Sequence, residues 1–308
     1  MCQYDKAEDL KNLYHYCSLD VFQKIIENKE IWLSEATTTN DSTELLWFAD
    51  NIKEVLMDCF EKQSEQFKKK YITLFPQLVE RQYDNFFSQK PYYHMFIACF
   101  SINGDLLSQW RGYTPDGGNG ISVGFNKNAL LDLLQNQKSI PALIEIGYID
   151  YDKEKQNSRN YISNLANNQL FPLLDKIDKS DLSNFGSRSL AEFEKILKMM
   201  FYNAVLVKSP FFAEESEVRL FSWQTLDFNG SNLSEKINLS AIQYRTRGNL
   251  VIPYIKLNFS TYGNLSDLIQ EVIIGPKCQV NEFFIQSILE RNGFKNTSVK
   301  KSNGFMYR

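Results

Sequence analysis

Apolar residues recur along this chain at two periods, every second position in some stretches and every third or fourth in others, and the switches between them mark out its elements. Leu13-Tyr14-His15-Tyr16 predicts a short aromatic strand. Ser18 stands in N-cap position before Leu19, Phe22, Ile25 and Ile26 at helical spacing, and an Asn28-Lys29-Glu30 turn leads into a second strand, Ile31-Trp32-Leu33-Ser34. Thr37-Thr38-Thr39-Asn40-Asp41 is a polar loop able to cap the next helix, which runs through Leu45, Leu46, Phe48, Ile52, Val55 and Leu56. A charged helical stretch follows to about Tyr83, broken near Pro76, so residues 42–90 are expected to form a helical insertion.

His94-Met95-Phe96-Ile97-Ala98-Cys99-Phe100-Ser101 is a short apolar run bounded by turn signals, the pattern of a strand covered on both faces. Leu106 to Tyr113 predicts a helical turn, and Pro115 to Gly120 a glycine-rich loop before the strand Ile121-Ser122-Val123-Gly124-Phe125. Ala129 to Leu134 reads as a short helix and Ala142 to Tyr148 as a strand. Residues 152–208 form a second mostly helical block. Strands return at 216–223, 250–258 and 271–275, followed by a helix from Asn281 to Arg291 and a last strand near 297–307. Strands interrupted by two helical blocks predict an α+β fold around a central mixed or antiparallel sheet. No Pro/Gly/Ser-rich linker separates the blocks, so residues 1–308 are expected to form a single domain with insertions at about 42–90 and 152–208.

Composition narrows the function classes. The chain is 308 residues long, 43% hydrophobic and 14% aromatic, ample for a sizeable core. A net charge of −3 and a pI near 5.6 argue against a phosphate-backbone binder, although a local basic patch is compatible with both. No run approaches the roughly 18 apolar residues of a membrane span, and Met1 to Asp5 lacks the basic-then-apolar order of a secretion signal, so a cytoplasmic protein is expected. The five cysteines, Cys2, Cys17, Cys59, Cys99 and Cys278, are scattered and never paired as C-x-x-C, which suggests neither a disulfide framework nor a zinc site. With only His15 and His94 as imidazoles, a multi-histidine metal centre is excluded, and no metal is expected. No Walker A loop, G-x-G-x-x-G or G-x-S-x-G elbow occurs.

The candidate chemistry lies in Glu215-Ser216-Glu217-Val218-Arg219. At strand period two, Glu215, Glu217 and Arg219 share one face while Val218 and Leu220 take the other. A carboxylate restrained by a neighbouring guanidinium can orient or deprotonate a hydroxyl, and a second can stabilise cationic character on a sugar. The same spacing also describes a solvated face with i, i+2 ion pairs. His15 between two tyrosines reads equally as a structural histidine. Trp110 and Tyr113 at i, i+3 read equally as core, and the glycines of the 117–120 loop as a plain hairpin connection.

Six segments, Leu13 to Tyr16, Ile31-Trp32-Leu33-Ser34 to Glu44, Cys99-Phe100-Ser101 with Trp110 and Tyr113, Gly120 to Phe125, Glu215 to Arg219, and Val272-Ile273-Ile274-Gly275-Pro276, together resemble a bacterial family known as domain of unknown function 2971. More distantly, strand-borne His15 followed by a helix and Ile31-Trp32-Leu33-Ser34 resembles the opening of ADP-ribosyltransferase-like folds. That resemblance implies NAD as the substrate, with His15 at its ribose, Ser101 by the nicotinamide ribose and Glu217 polarising the 2′-hydroxyl. It further implies Glu215 as the first acid of a Glu-x-Glu with Arg219 beside it, Trp110 or Tyr113 as an aromatic wall, and the backbone amides of Gly117 to Gly120, Gly118 among them, at the pyrophosphate. No convincing Ser-Thr-Ser motif accompanies Ser101. Three functions follow as expectations. The first is transfer of ADP-ribose to a macromolecule or hydrolysis of NAD, as in a bacterial toxin or anti-phage defence effector. The second is a nuclease-like effector using Glu215, Glu217 and Asp41 around a divalent metal. The third is a non-catalytic sensor or interaction protein that makes its contacts through the insertions.

Overall fold

The computed structural model describes residues 10–38, 42–87, 93–136, 144–151, 156–176, 188–225 and 242–306. In chain order the elements are β1 (Asn12–Cys17), α1 (Leu19–Asn28), β2 (Glu30–Glu35), α2 (Ser42–Glu61), α3 (Glu65–Tyr71), α4 (Leu74–Phe87) and β3 (Tyr93–Ser101). They continue with α5 (Leu107–Tyr113), β4 (Ile121–Asn126), α6 (Lys127–Asn136), β5 (Ile144–Tyr148), β6 (Asp150–Tyr151), α7 (Gln156–Leu165), α8 (Phe171–Lys176) and α9 (Arg188–Tyr202). The chain closes with β7 (Val207–Lys208), β8 (Glu217–Thr225), β9 (Gln243–Arg247), β10 (Leu250–Asn258), α10 (Leu265–Leu268), β11 (Ile269–Ile274), α11 (Glu282–Arg291) and β12 (Ser298–Lys301). The fold is α+β with one large mixed sheet. No described helix is long and apolar enough to cross a membrane.

The residue contacts divide the chain into two compact units. One comprises Met1–Thr38, Met95–Ile149 and Phe211–Arg308, and carries the sheet. The other comprises Thr39–His94 and Asp150–Pro210, so the two helical insertions form one body together.

In the sheet unit the strand order is β12-β11-β4-β1-β3-β2-β10-β9, with β8 branching off β3 and carrying β5 on its other side. β11 and β12 run parallel, whereas β4–β1, β1–β3, β3–β2, β2–β10, β10–β9 and β5–β8 are antiparallel. Alternation decides what each strand buries. Leu13 and Cys17 of β1, Ile121, Val123 and Phe125 of β4, Phe96, Ala98 and Phe100 of β3, and Val218 and Leu220 of β8 all enter one core. Helix α1 covers that core with Phe22, Ile25 and Ile26. Its N-terminus is capped by Ser18, whose hydroxyl accepts from the Val21 amide, and it ends where Lys29 turns left-handed (φ 53°) into β2. Each such apolar side chain contributes about 1.5–3 kcal/mol on burial, so the in-register set fixes which face of every strand is left for other work.

The helical unit packs α2, α3, α4, α7, α8 and α9 around Phe60, Phe75, Phe171 and Phe193, with Phe60 stacked on Phe75 at 4.8 Å. The break expected near Pro76 falls earlier, between Tyr71 and Leu74; Pro76 sits in the first turn of α4, where its missing amide costs nothing. Two further boundaries differ from the sequence reading. Strand β9, polar on both sides, has no apolar period to predict it. The terminal strand ends at Lys301, giving way to a 3-10 turn over Asn303–Met306. Asn40 and Asp41 lie outside the described residues.

Candidate functional site

The expected acidic strand starts later than its spacing predicts. Pro210–Glu215 forms a 3-10 turn and Ser216 adopts a left-handed backbone (φ 46°), so Glu215 ends a turn and does not continue the face of Glu217 and Arg219. The junction is held from β3. The Ser101 hydroxyl donates to the Glu215 carbonyl at 2.7 Å, and the Ile102 amide donates to the Ser216 carbonyl at 3.1 Å. Ser101 also accepts from the Asn103 amide at 3.1 Å and is fully buried, so its hydroxyl is spent on ordering two chain turns.

From Glu217 onward the strand behaves as read. Val218 and Leu220 enter the core, and Glu217 and Arg219 stand on the opposite face. Arg219 Nε donates to Glu217 Oε1 at 2.6 Å and Nη2 to Oε2 at 3.0 Å, and both side chains are only 2% exposed. This is a buried, two-pronged ion pair between residues i and i+2. Two charge-assisted hydrogen bonds from a guanidinium favour the charged form of the carboxylate.

His15 does not share that face. It lies in phase with Leu13 and Cys17, which enter the core, and its ring packs against Phe100 of that core at 5.6 Å. Glu217 lies out of phase with Val218 and Leu220, which enter the same core. Strand alternation therefore puts the imidazole and the carboxylate on opposite faces of the sheet, and the cleft expected from strand order is not formed. His15 Nδ1 lies 2.9 Å from the Cys99 carbonyl and, facing an acceptor, must carry the proton. Desolvation lowers the pKa of His15, the backbone hydrogen bond opposing it, and burial lowers that of His94 as well.

The sign of the pH dependence follows. A histidine held neutral binds fewer protons folded than unfolded, so its stability contribution is complete above about pH 6.5 and is lost as pH falls from there through the lowered folded value. Urea unfolding between about pH 8 and pH 5 is expected to show stability falling with acid, with a smaller fall in His15→Gln, whose glutamine does not titrate. Equal losses in both proteins would contradict a neutral, desolvated His15.

Trp110 and Tyr113 belong to a second, smaller cluster on the face away from the main core, with Tyr14, Tyr16 and Ile273. Trp110 is 1% exposed, meets Tyr16 edge-on at 4.7 Å and donates from Nε1 to Asp105 Oδ1 at 2.8 Å. Asp105 also accepts from Ser302 Oγ at 2.5 Å and from the Asn303 amide at 2.7 Å, tying the β3–α5 connection to the C-terminal strand region. Tyr16 donates to the Asn103 carbonyl at 2.7 Å and accepts from the Leu106 amide at 3.0 Å. Trp110 is therefore core, not a ring wall. The neighbouring Tyr14 hydroxyl donates to Glu271, whose other oxygen pairs with Lys300 at 2.7 Å.

The glycine loop is likewise occupied. The amides of Gly117, Gly118 and Asn119 donate to the carbonyls of Thr114, Pro115 and Pro115. The Gly118 and Gly120 carbonyls accept from Lys277 and Gly275. A Cβ on Gly275 would lie 2.3 Å from the Gly118 oxygen, and one on Gly120 would lie 2.4 Å from the Cys17 oxygen. These glycines permit backbone to pack on backbone, and three of the four amides expected at a pyrophosphate, those of Gly117, Gly118 and Asn119, are already committed.

Of the expected set, Glu217 and Arg219 are thus brought together, and Ser101 touches the backbone of Glu215. His15 takes the opposite face, Trp110 is enclosed in its own aromatic cluster with Tyr113 packed against it, and the Gly118 amide is bonded within its loop. Residues 109–220 match the model of a family described as a protein of unknown function, DUF2971. No curated protein and no solved structure matches the chain. The DUF2971 match begins one residue before Trp110 and ends one after Arg219. It takes in the aromatic pair, the glycine loop and the Glu217–Arg219 pair, and leaves His15 and Ser101 outside. Among the described residues no group of three or more His, Cys, Asp or Glu side chains could hold a metal ion, and Asp41, the third carboxylate of the nuclease reading, lies outside them.

Proposed function

We propose that the chain consumes NAD or a related nucleotide, as the resemblance to ADP-ribosyltransferase-like folds implies, with Glu217 as the acid at the reacting ribose and His15 taking no part. The observation that carries the reading is the buried Glu217–Arg219 pair. A buried ion pair is commonly no more stabilising than apolar residues of the same volume, so stability alone is a poor account of why two charges sit desolvated on this strand. Charged groups in such settings are candidates for chemistry.

The role is electrostatic. As the bond between ribose C1′ and the nicotinamide nitrogen breaks, its electron pair leaves with nicotinamide and C1′ becomes cationic. A carboxylate kept ionised by Arg219 stabilises that charge and polarises the 2′-hydroxyl, and water or an acceptor nucleophile then bonds to C1′ and gives up its proton. Glu215, half-buried at the turn before the strand, is the group suited to take it. A step of this kind requires positioning and charge, which these side chains supply.

Incubating the purified protein with NAD and following free nicotinamide, with and without EDTA, tests the reading. Release that is insensitive to EDTA is the expected result. A second reading, a binding module without turnover, is favoured by one observation, the glycine-loop amides already bonded to the chain. Absence of nicotinamide release would leave that reading in place of the first.

A further inference from the structure

At the other end of the sheet, β2, β10 and β9 carry an aromatic and basic surface on the face away from the main core. Register defines it. Ser34 pairs with Tyr254 and Trp32 with Lys256, while Tyr254 pairs with Gln243 and Ile252 with Arg245. Directly paired residues share a face, so Trp32, Ser34, Gln243, Arg245, Tyr254 and Lys256 stand together opposite Ile31, Leu33, Ile255 and Leu257, which enter the core. The Trp32 and Tyr254 rings stack at 4.2 Å with 22° between their planes. Arg245 Cζ lies 5.6 Å and Lys256 Nζ 5.5 Å from the Trp32 ring centre.

Charges on this surface are unequally matched. Lys256 pairs with Glu30 at 2.9 Å, and Glu30 also accepts from Trp32 Nε1 at 2.8 Å, so one cation is neutralised and the indole is held in place. Arg245 has no such partner among the described residues. Its Nη2 donates to Ser34 Oγ at 2.8 Å, and its Nε is buried with no hydrogen-bond partner among the described residues. Arg247, two residues along the same strand, faces the same way and has no carboxylate partner among the described residues either. Burial, and next the charge of Arg247, lower the pKa of Arg245, the response of a cation placed where positive charge is in excess. An unbonded, desolvated guanidinium nitrogen is costly, and a second cation beside it adds to the cost, unless an anion arrives to satisfy both.

We propose that this face binds a mononucleotide, its base laid against the half-buried Trp32, which the buried Tyr254 (7% exposed) backs, and its phosphate held by Arg245 and Arg247. Planar stacking on a tryptophan and charge-assisted donation from a guanidinium fork are the two contacts that such a ligand offers together and that neither a simple anion nor an uncharged ring can match. A net charge of −3 sets this surface apart from a general phosphate-backbone binder, since two arginines without a carboxylate partner among the described residues suit one or two phosphates and not a polyanion. The surface lies on β2, β9 and β10, not on β8, and the inference does not depend on turnover at Glu217.

Isothermal titration with AMP, adenosine and inorganic phosphate as separate probes tests it. AMP is expected to bind more tightly than either part alone, and its affinity to fall with added salt. Arg245→Gln is expected to weaken AMP about ten-fold or more. Trp32→Ala should weaken it comparably, while Trp32→Phe, which keeps a ring, should retain most of the affinity. Circular dichroism and the thermal midpoint establish that each variant is folded. AMP that does not bind, or binds equally well to folded Arg245→Gln, would overturn the proposal. So would a single-stranded oligonucleotide that binds where AMP does not, which would make the face a nucleic-acid surface instead.

Discussion

Arg219→Met is expected to lower the unfolding free energy by about 3–5 kcal/mol, measured by urea denaturation followed by tryptophan fluorescence. The reason is what it leaves behind. With the guanidinium gone, the Glu217 carboxylate loses two charge-assisted hydrogen bonds at 2.6 and 3.0 Å while its side chain remains 2% exposed, where water does little to replace them. Replacing both members, as in Glu217→Leu with Arg219→Met, removes both buried charges and is expected to recover most of the loss, because paired apolar side chains of similar volume commonly match a buried ion pair. A single Arg219→Met variant as stable as the parent would show that the pair is solvated in solution and that its geometry carries no energetic weight.

The contrast between the single and double changes bears on function. If the double apolar variant is as stable as the parent, the pair is dispensable for folding, and chemistry becomes the better account of its presence. The two residues were legible in the sequence because strand period alone aligns i with i+2 and because Val218 and Leu220 mark the buried side. The same rule misplaces Glu215. A left-handed Ser216 interrupts the period, and nothing in a Glu-Ser-Glu run signals a positive φ at serine.

Other differences have comparable physical causes. His15 was correctly placed on the first strand, but which face it takes depends on what the strands on either side bury, and that emerges only from pairing Leu13 with Phe125 and Cys17 with Ile121. Trp110 reads as a cofactor wall or as core with equal ease until Asp105 is seen to accept its indole proton, a contact five residues away that helical spacing does not predict. The glycines of the 117–120 loop admit close approach of something. That partner is Gly275-Pro276-Lys277, more than 150 residues distant, as only the folded chain shows. The Trp32–Tyr254 face is not legible in the sequence for a further reason: β9, which supplies Arg245 and Arg247, carries polar residues on both sides and gives no hydrophobic signal. The broad class, α+β with strands interrupted by helical blocks, was legible because long apolar periods survive local exceptions.

The second large effect concerns turnover. Glu217→Gln keeps the shape of the side chain and one acceptor oxygen for Arg219 but removes the negative charge, so the cationic sugar loses its electrostatic partner in the transition state. Nicotinamide release per folded molecule is expected to fall by a factor on the order of 10² or more. Glu215→Gln should act differently, suppressing transfer to an acceptor more than hydrolysis by water, because its place at the turn suits it to the incoming nucleophile and not to the ribose. Single-turnover nicotinamide release from NAD by parent and Glu217→Gln protein, normalised to the folded fraction from their thermal midpoints, is the most direct measurement. The account predicts EDTA-insensitive release from the parent and a loss of about a hundred-fold or more in the variant, and undiminished release from Glu217→Gln, or none from the parent, would contradict it.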